Sequence, residues 1–160
     1  MAQTFITIED FKAVVDDKTL SVINQSDPAN LDRAVGYAIE EISGYLRGME
    51  PSKTGIRPYD IQAIFSTSPP SGGLGGADNR NRQLVMYTCD VALYHLISWL
   101  PQKMGFEIRQ IRYGRAISWL EDVQAGKVIL DVPLIPETDA GDDNQTAIRW
   151  GSWNKNKYDY

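Results

Sequence analysis

Apolar residues recur at helical spacing in several stretches of the chain, and cap or breaker residues bound each stretch. The first begins at Thr7, a predicted N-cap followed by two acidic residues in the first turn. A second helix is predicted from Asp27-Pro28, an N-cap carboxylate with proline at the first helical position, to Gly48. Residues 19–25 favour one more short turn of helix between them. The apolar positions of the two main segments are Ile8, Phe11, Val14, Val15, Leu31, Val35, Ala38, Ile42, Tyr45 and Leu46.

Two further helices are predicted in the second half of the chain. Residues 82–100 have few polar residues between the apolar ones, which indicates a buried central helix. Pro101 is predicted to end it. Residues 107–125 form the last helix, and Gly126 is the predicted C′ residue. Because the turn between the two helices is short, they are expected to pack as an antiparallel hairpin. The predicted apolar positions of the last helix are Ile108, Ile111, Ala116, Trp119, Leu120 and Val123.

The segments between and after these helices differ in composition. Residues 51–81 contain four prolines and a glycine-rich run, which predict a long connection with little regular structure. Residues 131–160 contain prolines, acidic residues and a Lys/Tyr-rich end, and we expect an extended docking arm. The alternative is that its aromatic residues fold back on their own domain. The aromatic residues predicted to anchor a partner are Trp150, Trp153, Tyr158 and Tyr160.

These patterns predict an all-α fold, a small bundle of about four helices in residues 1–130 with residues 131–160 as the arm. The length of 160 residues suits one domain that can bury a core without a disulfide or metal. The net charge of −5 argues against a dedicated nucleic-acid-binding protein, since phosphate contacts need a basic surface. No basic, apolar leader opens the chain and no apolar run approaches a membrane span, so neither secretion nor membrane insertion is expected.

Candidate catalytic and metal-ligating residues are sparse. The single histidine, His95, and the single cysteine, Cys89, are six residues apart, which places them on well-separated faces of a helix. One His and one Cys supply neither a Cys–His catalytic pair nor a zinc site of soft ligands. The run at 72–76 lacks the Lys-Ser/Thr ending of a phosphate loop, and the acidic cluster at 139–144 lacks EF-hand spacing. We therefore expect no enzymatic activity, no cofactor and no metal, although a site made of carboxylates alone stays open.

A basic pattern on the last predicted helix has three interpretations. Arg109, Arg112 and Arg115 recur at i, i+3 and i+6. They form a solvated face opposite the apolar positions, or a charge row between subunits or facing a portal, or a surface that contacts DNA directly. In the second case they would meet carboxylates of a neighbouring subunit such as Glu40 and Glu41, and arginine suits such bidentate pairing better than lysine.

Five segments together resemble one known family. They are residues 5–11 (FITIEDF), 38–46 (AIEEISGYL), 89–96 (CDVALYHL), 107–116 (EIRQIRYGRA) and 119–128 (WLEDVQAGKV). In this order they are similar to the Mu-like phage neck-protein family, over residues 5–48 and 84–130. Loop 51–81 is longer and richer in glycine than the family's usual connection, and the tail from residue 131 lies outside the shared pattern.

The resemblance implies a virion structural protein, a head–tail connector (adaptor) subunit. Such subunits assemble as a homo-oligomeric ring beneath the portal protein, twelve-fold by family analogy, and join it to downstream neck and tail proteins while genomic DNA passes through the channel. The expected location is the virion neck, assembled in the host cytoplasm. The competing hypothesis is a small helical nucleic-acid-binding or regulatory protein that uses the Arg109, Arg112 and Arg115 ridge.

Overall fold

The computed structural model describes residues 5–24, 28–69, 77–98 and 105–136. Within these residues the chain is helical, and the all-α prediction is confirmed. Three long helices and four short ones follow one another along the chain. They are α1 (Ile8–Lys12), α2 (Asp17–Asn24), α3 (Pro28–Arg47), α4 (Pro51–Thr54), α5 (Ile61–Ser66), α6 (Arg82–Ser98) and α7 (Phe106–Gln124).

Helix α6 lies at the centre of the molecule, between α3 and α7, and it also contacts α1. Every residue from 88 to 93 is buried, so this part of α6 has no solvent-facing side, as its apolar sequence predicted. Tyr87 packs against Trp119, and Tyr94 stacks on Tyr113. Since residue numbers fall along α7 as they rise along α6, the two helices run antiparallel, in agreement with the predicted hairpin.

Helices α3 and α7 also contact each other and run in the same direction. Glu41 bonds to Tyr113 near the middle of both helices, and the Gln124 side chain covers Gly48 at their ends. A Cβ at Gly48 would overlap the Gln124 amide, so a larger residue there would displace the end of that flexible side chain. The predicted end of α7 is also confirmed, because Gly126 has a φ of 73°.

The N-terminal segment covers one side of this three-helix body. Phe5 and Phe11 are each 1% exposed, and the Phe5 ring meets Phe65 of α5 edge-to-face at 5.0 Å. Thr7 is the N-cap residue of α1, as predicted, and Asp10 accepts a hydrogen bond from its backbone N–H at 2.7 Å. Burial of each such ring stabilises the fold by about 1.5–3 kcal/mol.

The connection at 51–81 contains more regular structure than the sequence predicted. Helix α4 begins at Pro51, directly after the N-cap Glu50, and ends at the left-handed Gly55. Helix α5 begins after Asp60, whose side chain accepts from the Ala63 N–H at 2.9 Å. Both helices start from local caps inside a proline-rich stretch, and the overall composition of the stretch does not indicate them.

The chain after α7 packs against this connection. Leu134 forms an antiparallel bridge with Tyr59, and Asp60 N donates to the Pro133 carbonyl at 3.0 Å. The Tyr59 hydroxyl accepts a bond from Leu130 N at 3.2 Å. Residues 131–136, the start of the predicted arm, therefore belong to the packed body. Its remainder, 137–160, with Trp150, Trp153, Tyr158 and Tyr160, lies outside the described residues.

Candidate interaction site

The three arginines of α7 lie in three different environments. Arg109 is only 8% exposed, Arg112 is half-buried and Arg115 is exposed. Seven residues are about two turns of a helix, so Arg109 shares the face of Ala116, which is fully buried. The structure therefore does not bring the three together as one exposed row.

The same helical periodicity places two of the predicted apolar positions on the outside of α7. Ile108 and Ile111 are 59% and 57% exposed, whereas Ala116, Leu120 and Val123 are fully buried. At roughly 100° per residue, Ile108 and Ile111 lie about 80° and 140° away from Ala116 around the helix. Both isoleucines are among the predicted apolar positions of α7, but they do not lie on the buried side with Ala116, because hydrophobicity alone does not fix which side of a helix faces the core.

Arg112 acts within the chain. Its Nε lies 2.8 Å from Asp90 Oδ1 of α6, a close ion pair although the N–H is not aligned with that oxygen, and its Nη1 donates to the Val14 carbonyl at 3.3 Å. Burial raises the pKa of Asp90, and the Arg112 guanidinium offsets only part of this effect. Arg112 thus connects α7 with α6 and with the segment between α1 and α2.

Arg109 is buried beside this pair, and its Nη1 atom has no hydrogen-bond partner. Burial lowers the pKa of Arg109, and the nearby positive charge of Arg112 lowers it further. A buried guanidinium nitrogen without a partner costs free energy, since its hydration is lost and not replaced. Arg109 is therefore an internal residue with one unpaired donor rather than a surface contact.

The two predicted carboxylates also differ. Glu41 Oε2 lies 2.7 Å from His95 Nε2, and its other oxygen accepts from the Tyr113 hydroxyl at 2.6 Å. Burial and this bond to Glu41 raise the pKa of Tyr113, so the hydroxyl stays a donor. Glu41 therefore joins α3, α6 and α7 within one chain. Glu40, one residue earlier, is exposed.

His95 and Cys89 are kept apart, as their spacing predicted. Cys89 is 0% exposed, and burial raises the pKa of its thiol. His95 faces Glu41 and the rings of Tyr94 and Tyr113. In the ranges that the structure describes, no three His, Cys, Asp or Glu residues lie close enough to hold a metal ion, and no helix there is long and apolar enough to cross a membrane.

One buried charge network lies away from the predicted site residues. Arg80, at its centre, has a side chain only 4% exposed. Its guanidinium donates to the Asp10 carboxylate at 2.8 and 3.0 Å and to the Asp78 carboxylate at 2.9 and 2.8 Å. It also donates to the Phe5 carbonyl at 2.5 Å. No local signal could reveal this network, because Asp10 and Arg80 are 70 residues apart.

Among the exposed surfaces of the described residues, two lie on the long helices α3 and α7. The first, named here the α3 outer face, has an aromatic ring, a small gap and both signs of charge. The second, the α7 outer face, has two exposed isoleucines between opposite charges, and a groove of about 530 Å³ starts beside Ile108. The α3 outer face consists of Tyr37, Glu40, Gly44 and Arg47, and the α7 outer face of Glu107, Ile108, Ile111 and Arg115.

Comparison with known proteins adds no relative to this description. The chain matches no protein-family model, no curated protein and no solved structure.

Proposed function

We propose that this chain is a non-enzymatic structural subunit of a phage neck, a head–tail connector that forms a ring below the portal. The observation that carries the proposal is the distribution of its surface side chains. Two of the three α7 arginines are used inside the molecule, while Ile108 and Ile111 face outward. Exposed neighbouring isoleucines suit contact with another protein. The family resemblance of residues 5–48 and 84–130 supports the same role.

The helical body suits a structural subunit that functions by assembling with other proteins. Helix α6 is enclosed by α3, α7 and α1, and Glu41 joins three helices through His95 and Tyr113. Such a body keeps its shape when it docks, which lets cyclic symmetry repeat the same contact in every subunit. In this role the location is the virion neck, and the partners are the portal protein and downstream neck and tail proteins.

The competing nucleic-acid role draws less support from the geometry. It requires Arg109, Arg112 and Arg115 to meet phosphates together, yet Arg109 is buried and Arg112 is paired with Asp90. A salt titration of DNA binding separates the two roles. Affinity that falls steeply with salt and is lost in Arg115→Ala would favour the nucleic-acid role.

The direct test of the neck role uses the portal protein encoded by the same genome. Purified full-length chain is mixed with assembled portal, and the product is examined by native mass spectrometry and negative-stain imaging. We expect a ring of this chain bound to one end of the portal. A chain that remains monomeric and does not bind the portal contradicts the proposal.

A further inference from the structure

We propose that two copies of the free chain pair through the α7 outer face, with their α7 helices antiparallel about a two-fold axis beside Ile111. The inference goes beyond the neck role and does not rest on it. A two-fold contact uses the same patch on both copies, so the patch must be complementary to itself. The apolar and charged side chains on the outside of α7 meet this condition.

The apolar part of the patch lies at the centre of the outward side of α7. Ile108 and Ile111 are neighbours at i and i+3, and each exposes more than half of its surface. Ile111 and the fully buried Leu120 are nine residues apart, about 180° around the helix. Ile111 therefore points directly away from the core. A second copy that covers it removes apolar surface from water, which is the general driving force for association.

Two opposite charges lie symmetrically about Ile111. Glu107 and Arg115 are each four residues away from it, about 6 Å along the axis and about 40° to either side. When two α7 helices lie antiparallel with Ile111 against Ile111, Glu107 of each copy is level with Arg115 of the other. The contact then contains two ion pairs. In the parallel direction like charges would meet instead, which is unfavourable.

Neither of these charges is used within the described part of the chain. Glu107 and Arg115 form no ion pair with any other described residue. In the antiparallel pair Arg115 also lies beside Ile108 of the second copy, and its methylene groups can cover this isoleucine while the guanidinium reaches Glu107. The same side chain thus contributes both apolar and charged contact.

A glycine next to the patch allows the two helices to approach closely. Gly114 is exposed, one turn after Ile111, and a Cβ placed there would meet no atom within 4 Å. The distance between packed helices depends on the side chains at the contact, so a position without a side chain lets the helix axes come nearer. The two Ile111 side chains can then meet at the axis.

One helix pair buries little surface, so the contact is weak and the pair can separate when the chain enters a larger assembly. A two-fold pair is closed with two copies, and it is therefore not the contact that repeats around a ring. Because the contact is weak, the first experiment traps it covalently in the full-length chain.

A single cysteine at the axis tests the register. Ile111→Cys places the two new thiols opposite each other, and we expect a disulfide-linked dimer on a non-reducing gel under mild oxidation. The matched control is Ser118→Cys, an exposed position two turns later on the same helix. In the proposed register the two Ser118 positions are about 21 Å apart, so this variant should cross-link at least about tenfold more slowly. Cys89, the only native cysteine, is fully buried and does not compete.

Charge reversal tests the direction of the pair without added cysteines. Glu107→Arg or Arg115→Glu alone brings like charges together and should raise the dimer dissociation constant about tenfold, and the two together should restore it. Glu40→Arg on the α3 outer face makes the same change in net charge as Glu107→Arg and should leave the dissociation constant unchanged. Sedimentation equilibrium measures the constant, and far-UV circular dichroism checks that every variant keeps its helices.

Labelling of the reduced Ile111→Cys variant with a maleimide identifies other occupants of the face. Labelling that is fast in dilute solution and slows as the chain is concentrated supports the pair. Labelling that is equally slow at every concentration means that the chain covers its own face, and it overturns the inference. The inference is also overturned if Ile111→Cys cross-links no faster than Ser118→Cys, or if the double charge reversal restores nothing.

The portal experiment remains separate from these. A chain that pairs but ignores the portal upholds the contact and contradicts the neck role. A chain that binds the portal but never pairs when free upholds the neck role and overturns the contact.

Discussion

Two buried arginines of this chain differ in whether their charge is paired. Arg80 has both neighbouring carboxylates and a carbonyl as partners, so almost every donor it buries is paired. Arg109 is nearly as buried, but its Nη1 has no hydrogen-bond partner, and burial together with the Arg112 charge outweighs the favourable charges of Asp90 and Asp16. Because a buried charge is tolerated when it is paired and costly when it is not, the two arginines should respond to substitution with opposite signs.

Replacing Arg80 should destabilise the protein strongly. Arg80→Met leaves the Asp10 and Asp78 carboxylates partly buried without their cation, which costs about 3–5 kcal/mol. Urea denaturation measures this loss. The control is Arg82→Met, an exposed arginine two residues later, which should change stability by less than about 0.5 kcal/mol. Equal effects of the two substitutions would contradict the role given to Arg80.

The same network should make stability depend on acid. Burial by itself would raise the pKa of Asp10, but hydrogen bonds from Arg80 and Thr7 outweigh it and the net pKa lies below the ordinary 3.8. Bonds from Arg80 likewise lower the pKa of Asp78. In both cases the unfolded chain takes up the proton first as pH falls. The stabilisation is therefore present above 3.8 and is lost as pH drops through the folded value.

Asp10→Asn tests this dependence. The variant should be less stable than the wild type near neutral pH, and the difference should shrink as pH falls below 3.8 and through the lowered pKa of folded Asp10. Thermal unfolding across this range measures it. Asp32→Asn, at an exposed position on α3, is the control and should follow the wild-type curve. A constant difference between Asp10→Asn and wild type at all pH values would argue against the assigned pKa.

At the scale of elements, the positions of helices were predictable but their orientation was not always so. Apolar spacing, together with caps such as Thr7 and Gly126, placed α1, α3, α6 and α7 within a few residues of their observed ends. The face of α7 was not predictable in the same way. The inward side of its first half holds Arg109 and the outward side holds Ile108 and Ile111, so the hydrophobic pattern of this half does not mark the side that faces the core.

Contacts between distant elements could not be predicted from the sequence for a different reason. The pairing of Asp10 with Arg80, or of Glu41 with His95 and Tyr113, leaves no local pattern, because the partners are brought together only by folding. Of the predicted interface residues, Glu40 and Arg115 stay exposed, while Glu41, Arg109 and Arg112 are held inside the chain or by its own side chains. The sequence placed these residues on α3 and α7 but did not predict which of them are buried.

The face of α7 yields a prediction at this scale. Arg109→Met keeps a similar volume and removes a buried, partly unsatisfied cation, so the free energy of unfolding should rise by about 1 kcal/mol. Chemical denaturation measures the change. Ile111→Gln on the outer side of the same helix should stay within about 0.5 kcal/mol of wild type. A loss of more than about 1 kcal/mol in Arg109→Met would show that the guanidinium stabilises the fold.

At the scale of the whole molecule, the chain after α7 fastens the middle connection to the bundle. Leu130 is 5% exposed and donates its N–H to Tyr59, which itself is 3% exposed. The bridge between Tyr59 and Leu134 extends this contact by two backbone hydrogen bonds. The connection at 56–66 and the end of the described chain therefore depend on each other.

Shortening Leu130 should loosen both segments together. Leu130→Ala removes buried methyl groups and should cost about 2–4 kcal/mol. Hydrogen exchange should accelerate in residues 56–66 more than in α6, since α6 is enclosed by other helices. Ile129→Ala, next to it but 68% exposed, is the matched control and should leave exchange unchanged. Uniform acceleration along the chain would argue against a local coupling.

The enclosure of α6 also gives the protein an internal reporter. Cys89 lies in the stretch of α6 that is buried on all sides, and it is the only thiol in the chain. An alkylating reagent such as iodoacetamide can reach it only when the helices around α6 separate. The rate at which the Cys89 sulfur is labelled therefore reports how often the helices around α6 separate. It does so in the free chain and in any assembly that the chain enters, without an added probe.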